Sequence, residues 1–171
     1  MSKQKGFSLI ELLIVVAIIL IIAAIAIPNL MRSRIAANNA AAASTVRTLN
    51  TSEATYSTTY PTIGYADTLG KLGPPSGGVC SAPTSTNACL VDSVLGCGAG
   101  PCIRDAYQYK ITGIGTAPIT DYVIEAWPTG TSFGNMTYTA TGDAVVRGKP
   151  NTTAADPGLT TVSGAQAVPP I

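Results

Sequence analysis

The sequence predicts an α+β protein in which a long N-terminal hydrophobic helix packs, through its second half, on a small antiparallel sheet. Residues 7–27 form an apolar run that contains one carboxylate, Glu11. Residues 29–60 continue it with good helix formers and an apolar stripe near helical spacing. Short segments that alternate apolar and polar residues follow between 107 and 147, the pattern of strands with one buried face.

The first apolar run is long enough to cross a bilayer. Residues 7–27 hold fifteen Phe, Leu, Ile or Val. As a helix they span roughly 32 Å, against a hydrocarbon core of about 30 Å. Their insertion contributes about 7 kcal/mol and a charged Glu11 costs about 3 kcal/mol, so insertion is favoured. A cleaved secretory signal is the alternative, but its apolar region is shorter and carries no carboxylate.

Flanking charges orient this helix only weakly. Lys3 and Lys5 precede the run and favour a cytoplasmic N-terminus, whereas Arg32 and Arg34 follow it and nearly balance the count. Pro28 stands directly after the run and predicts a kink or local melting of the helix.

The second half of the helix is predicted to be amphipathic and to end at Pro61. A polar gap interrupts its apolar stripe at Glu53, and Arg47, Asn50 and Ser57 are predicted to lie on other faces. The stripe consists of Ile35, Ala42, Val46, Leu49, Tyr56 and Tyr60.

Residues 61–105 predict a loop region punctuated by Gly and Pro that carries all four cysteines. An even count in an exported, loop-rich region indicates two disulfides, with three connectivities left open. Free thiols are the alternative, and the absence of a Cys-x-x-Cys pair argues against zinc. The four are Cys80, Cys89, Cys97 and Cys102.

Three or four strands are predicted to form an antiparallel sheet that uses the helical stripe as its cover. A tight turn at Thr141-Gly142-Asp143 joins the last two. From Gly148 to Ile171 the chain is rich in Pro, Thr and Ala, which predicts an extended, mobile tail. The predicted strands are Tyr107–Thr112, Tyr122–Trp127, Met136–Ala140 and Ala144–Arg147.

Nothing in the sequence indicates catalysis, a cofactor or a metal. It has no histidine, and no nucleophile with a base, metal cluster or phosphate loop stands at the required spacing. A net charge of +1 provides no basic field for nucleic acid. Asp143 is a turn residue rather than a calcium ligand, because a cluster of carboxylates is missing. Asn50, Asn135 and Asn151 begin glycosylation triplets, which arise often by chance.

The N-terminal segment carries the most specific pattern in the chain. A short basic stretch with Lys3 and Lys5 ends in Gly6, Phe7 follows, and Glu11 comes four residues later inside the apolar helix. This pattern resembles the prepilin processing and assembly signature of type IV pilins and of type II secretion pseudopilins. The resemblance covers about residues 1–35.

The resemblance implies a particular maturation. A prepilin peptidase at the cytoplasmic face would cleave between Gly6 and Phe7, and the new Phe7 amine would be N-methylated. It also implies that Glu11 meets the Phe7 amine of a neighbouring subunit and sets the register of a helical homopolymer. Self-pairing within one helix, and an incidental carboxylate that reaches the membrane interface, are the alternatives.

We therefore expect a structural subunit of a pilus-like filament, inserted in the bacterial inner membrane as a precursor and later part of an extracellular or periplasmic fibre. Its partners would be other copies of itself, the peptidase and the assembly machinery. A type II secretion pseudopilin is the close alternative, and a membrane-anchored adhesion module is the more distant one. The expected divisions are a leader (1–6), an assembly helix (7–28), a globular head (29–147) and a tail (148–171).

Overall fold

The computed structural model describes residues 6–75, 78–98 and 100–171. These residues form two compact units, one that ends at Arg34 and one that runs from Ile35 to Ile171. The helices are α1 (Leu9–Thr59), α2 (Leu69–Leu72) and α3 (Val162–Gln166). The strands are β1 (Cys102–Arg104), β2 (Tyr107–Ile114), β3 (Asp121–Pro128), β4 (Met136–Thr141) and β5 (Arg147–Pro150).

The long N-terminal helix is confirmed as α1, and it ends two residues before Pro61, where a helix cannot easily continue. Pro28 lies inside α1, and the residues on both sides of it are helical. The kink predicted at Pro28 stays a prediction.

The antiparallel sheet is also confirmed, with five strands in the order β1-β2-β3-β4-β5. Ile111 on β2 pairs with Ile124 on β3, so neighbouring strands place their apolar residues on the same face. The short strand β1, which pairs with β2, was not predicted.

The predicted strand Ala144–Arg147 is wrong in its bounds, because β5 runs from Arg147 to Pro150. The Asp143 carboxylate accepts from the Val145 N–H at 3.0 Å and pairs with Arg147, which extends the turn. Ala144 adopts a left-handed φ of 58°, so a strand cannot begin there.

One face of the sheet packs against the second half of α1. Ala42, Val46, Leu49 and Tyr56 of the predicted stripe are buried and join a core with the inward residues of the strands. These strand residues include Tyr107, Tyr109, Ile111, Tyr122, Ile124 and Ala126. The head therefore has a helix-on-sheet core, as the sequence predicted.

Two polar residues of α1 lie where they were not expected. Asn50 was predicted to face away, but it is buried and accepts from the Tyr122 hydroxyl at 3.1 Å. Glu53, predicted as a gap in the stripe, is fully buried and accepts from the Ala66 N–H at 2.9 Å. These hydrogen bonds offset the cost of burial only in part, because Asn50 Nδ2 and Glu53 Oε1 are buried without a partner among the described residues.

The exposed side of the same helical segment is rich in Ser and Thr. Thr48, Thr51 and Thr55 each donate their hydroxyl to the carbonyl oxygen four residues earlier, at 2.9–3.2 Å. Their hydrogen-bond donors are thus satisfied inside the helix.

The other face of the sheet is covered by residues 151–171, which we call the C-terminal strap. The prediction of an extended tail from Gly148 is wrong for much of its length. Gly148 belongs to β5, α3 lies against β3 and β4, and Ala165 and Val168 are buried. The Gly148 N–H donates to the Pro169 carbonyl at 2.9 Å, so the last residues pair along β5. This long-range pairing leaves no local periodic signal.

The loop region between α1 and the sheet contains two disulfides, Cys80–Cys89 and Cys97–Cys102. The sequence predicted two bridges but left their pairing open. Gly73 and Gly96 meet backbone to backbone, and a Cβ added to Gly96 would lie 2.4 Å from the Gly73 Cα. Only glycine at both positions permits this approach.

Candidate functional site

The first half of α1 is an apolar helix with its side chains exposed. Leu9, Leu13 and Ile21 are each more than 60% exposed, and Phe7, just before the helix, is 80% exposed. By length and composition α1 is able to cross a membrane, and it is the one such helix in the described part of the chain. This segment therefore needs a cover that its own chain does not supply.

Glu11 lies in the first turn of α1, and its carboxylate caps the N-terminus of the helix. Its Oε2 accepts from the Ser8 N–H at 2.9 Å. The first N–H groups of a helix have no partners inside the helix. In a capping box, a carboxylate three residues after the N-cap residue accepts a hydrogen bond from the N-cap N–H. The negative charge also faces the positive end of the helix dipole.

This cap was not predicted, although its signal is visible as Ser8-Leu9-Ile10-Glu11, the spacing of a capping box. Within the described residues, Glu11 makes this hydrogen bond through Oε2 alone. The predicted pairing of Glu11 with a Phe7 amine stays a prediction, because Phe7 is joined to Gly6 by a peptide bond in this chain.

The predicted cleavage point lies just before the helix. Gly6 and Phe7 are exposed and non-helical, and a Cβ added to Gly6 would meet nothing within 4 Å. The scissile bond between them is thus open to approach from solvent. Lys3 and Lys5, which also belong to the pattern, lie outside the described residues.

Asp143 behaves as the turn residue that the sequence predicted. Its carboxylate pairs with Arg147 and accepts from the Thr141 hydroxyl at 2.9 Å. The hydrogen bond from Arg147 lowers the pKa of Asp143 to about 2. Among the described residues there is no group of three or more acidic, Cys or His side chains that could hold a metal.

Glu53 is a buried carboxyl of the head whose burial the sequence analysis did not predict. Burial raises its pKa to about 8, and the Ala66 N–H offsets this only in part. Its spacing from Leu49 and Tyr56, four and three residues, places it within the buried stripe and was the signal available. Glu53 joins α1 to the segment that follows it.

Comparison with known proteins supports the N-terminal pattern. Residues 1–27 match the family described as the prokaryotic N-terminal methylation motif. The chain is also 62% identical over 39 residues to the type IV wide pilus major component PilA4 of Thermus thermophilus. That match covers 23% of this chain and 30% of the relative, so the chain spans less than a third of that protein's length. No solved structure matches the chain.

The motif and the fold together resemble those of pilins. Its resemblance to type IV pilins and pseudopilins, carried by Gly6, Phe7 and Glu11, is confirmed by the match at residues 1–27. A long apolar helix that precedes an antiparallel sheet agrees with that class.

Proposed function

We propose that this chain is the structural subunit of a type IV pilus-like extracellular filament, made as an inner-membrane precursor and assembled through the first half of α1. The observation that carries the proposal is the exposed apolar surface of residues 7–27. An apolar surface of this size is not maintained in water by a soluble monomer.

Two environments can cover that surface in turn. A bilayer covers it in the precursor, because the segment has the length and composition of a membrane span. The same segments of other copies cover it after the helices leave the lipid. Head-to-tail contacts that do not close into a ring continue from copy to copy, and the proposed assembly grows in this way as an open helical fibre.

Processing supplies the charge that assembly needs. Cleavage between Gly6 and Phe7 creates an ammonium at Phe7, at the depth of Glu11 in an otherwise apolar layer. An ionised carboxylate in such a layer is costly unless a cation pairs with it. The Phe7 ammonium of a neighbouring copy would provide this pairing and fix the axial register, as buried polar residues do in coiled coils.

The name of the Thermus relative, a major component of a type IV wide pilus, supports the choice of a pilus. A type II secretion pseudopilin would use the same N-terminal signature, and nothing in the described head favours it. An anchored adhesion module would leave the apolar helix in the membrane.

The deciding experiment is to shear surface filaments from cells and to analyse their main polypeptide by N-terminal sequencing and intact mass. We expect this chain, starting at a methylated Phe7. A Gly6→Val variant should remain uncut and membrane-held, whereas Ala17→Val, a matched addition of volume within the apolar run, should be processed and assembled. A protein that starts elsewhere, or that stays monomeric in the membrane, contradicts the proposal.

A further inference from the structure

Three charged residues from separate parts of the head meet on the face of the sheet that the C-terminal strap covers. Lys110 on β2 and Glu125 on β3 are cross-strand partners. The Lys110 Nζ lies 4.0 Å from Glu125 Oε2 and 3.8 Å from Oδ2 of Asp156, which belongs to the strap. One amine therefore stands between two carboxyl groups.

Glu125 is the unusual member of this group. Its side chain is 0% exposed, Oε1 accepts from the Leu159 N–H at 2.7 Å, and Oε2 has no hydrogen-bond partner in the described part of the chain. A buried carboxylate oxygen without a partner is costly. Burial raises the pKa of Glu125, so this carboxylate accepts a proton more readily than an exposed one.

We propose that Lys110 and Asp156 become joined by an intramolecular amide bond between Nζ of the lysine and Cγ of the aspartate. The Nζ–Cγ bond forms, the bond from Cγ to one carboxyl oxygen breaks, and that oxygen leaves as water. No oxidant, reductant or further reactant is required, because an amine and a carboxylic acid give an amide and one water.

Glu125 carries the proton in this step. Its Oε2 accepts a proton from the Lys110 ammonium, which frees the nitrogen lone pair for attack. It passes this proton to the Asp156 oxygen that will leave, and after the Nζ–Cγ bond forms it takes a second proton from the nitrogen and delivers it to the same oxygen. That oxygen then leaves as water, and Glu125 ends unchanged. Reacting groups held together by a fold behave as if present at very high concentration, which compensates for the low intrinsic reactivity of a carboxylic acid.

The bond would attach the strap covalently to the sheet. Asp156 precedes the strap residues Ala165 and Val168, which are buried at the sheet. The cross-link would hold this cover in place when the head is pulled or heated. It does not depend on the proposed function of the chain.

The test is mass analysis of the full chain, purified in detergent, reduced and denatured. We expect the mass to be lower than that of the unlinked chain by one water, and a tryptic peptide in which Lys110 is joined to Asp156. Trypsin should fail to cut after the linked lysine. A full-length mass without this loss, together with cleavage after Lys110, overturns the proposal.

Single substitutions test which of the three side chains the amide bond requires. Lys110→Arg and Asp156→Ala should each have the full mass calculated from their sequences, without the loss of one water. Both replaced side chains are partly exposed, so we expect both variants to fold. Glu125→Gln should also remain unlinked, and a linked product in that variant would exclude Glu125 as the proton carrier.

Discussion

The hydroxyl of Tyr107 on β2 lies 2.7 Å from Oδ1 of Asn39 on α1, and this contact ties the head's helix to its sheet across 68 positions of sequence. Asn39 in turn donates through Nδ2 to Oδ1 of Asn135 at 2.7 Å. One asparagine thus connects the helix with β2 and with the segment before β4.

Replacing Tyr107 with Phe should destabilise the head by about 1–2 kcal/mol, because it removes the hydroxyl that lies 2.7 Å from Asn39 Oδ1 and 3.0 Å from the Met136 carbonyl oxygen. Trp127, the single tryptophan and a buried residue, gives a fluorescence signal for urea unfolding of the full chain in detergent. Tyr138→Phe is the matched control, since its hydroxyl makes no hydrogen bond to the described residues while its ring packs beside Tyr107. Equal losses of unfolding free energy in the two variants would show that the hydrogen bonds of the Tyr107 hydroxyl do not stabilise the head.

Glu53 should make the head less stable as the pH rises. Its pKa is raised from 4.5 to about 8 in the folded chain, so the folded state holds a proton that the unfolded state releases. The associated stability is complete below pH 4.5 and is lost as the pH rises through about 8. Glu53→Gln keeps an acceptor for the Ala66 N–H and removes the ionisation, so its unfolding midpoint should change less between pH 5 and pH 8.

The control for this experiment is Asp105→Asn, which alters an exposed carboxylate and should retain the pH dependence of the parent chain. Some dependence should persist in Glu53→Gln, because the pKa of Glu125 is raised in the same direction. A Glu53→Gln chain with the same pH profile as the parent would contradict the assignment.

Removing the Cys97–Cys102 bridge should cost more stability than removing Cys80–Cys89. Loop closure alone gives each about 2–3 kcal/mol. Cys102, however, is only 1% exposed and pairs with Tyr109 at the start of β1, whereas Cys80 is exposed. Double Ala variants of each pair, compared by denaturant unfolding with and without a reductant, test the order. The reverse order would show that β1 does not depend on its bridge.

Glu11 provides a test that separates capping from charge. Glu11→Ala removes both, while Glu11→Gln keeps an oxygen for the Ser8 N–H and removes the charge. If the charge pairs with a neighbouring Phe7 amine, both variants should lose most of the sheared filament yield, because breaking a buried ion pair costs about 3–5 kcal/mol. Normal yield from Glu11→Gln would reduce Glu11 to a helix cap.

The sequence predicted those parts of the fold that local periodicity determines. The apolar run before Pro28, the stripe from Ala42 to Tyr56 and the core strands all have a repeat that one segment displays by itself. The burial of Glu53 and Asn50 could not be predicted from local periodicity, because their hydrogen-bond partners, Ala66 and Tyr122, lie outside α1.

The same reason explains the errors near the C-terminus. The residues that cover the second sheet face are mostly small or polar, and the contacts that hold them there come from distant parts of the chain, such as the hydrogen bond from the Leu159 N–H to Glu125 on β3. Within the candidate site, the pattern of Gly6, Phe7 and Glu11 was readable because it is local. The hydrogen bond from the Ser8 N–H to Glu11 is equally local, but it was not predicted.

The threonines on the outer side of α1 have a physical consequence for whatever touches them. Because Thr48, Thr51 and Thr55 have already used their hydroxyl protons inside the helix, their exposed hydroxyl oxygens can accept hydrogen bonds but have no proton left to donate. A side that reads as both donor and acceptor in the letters of the sequence therefore presents acceptors at these three positions. A surface that docks there makes hydrogen bonds to them only by bringing donors of its own.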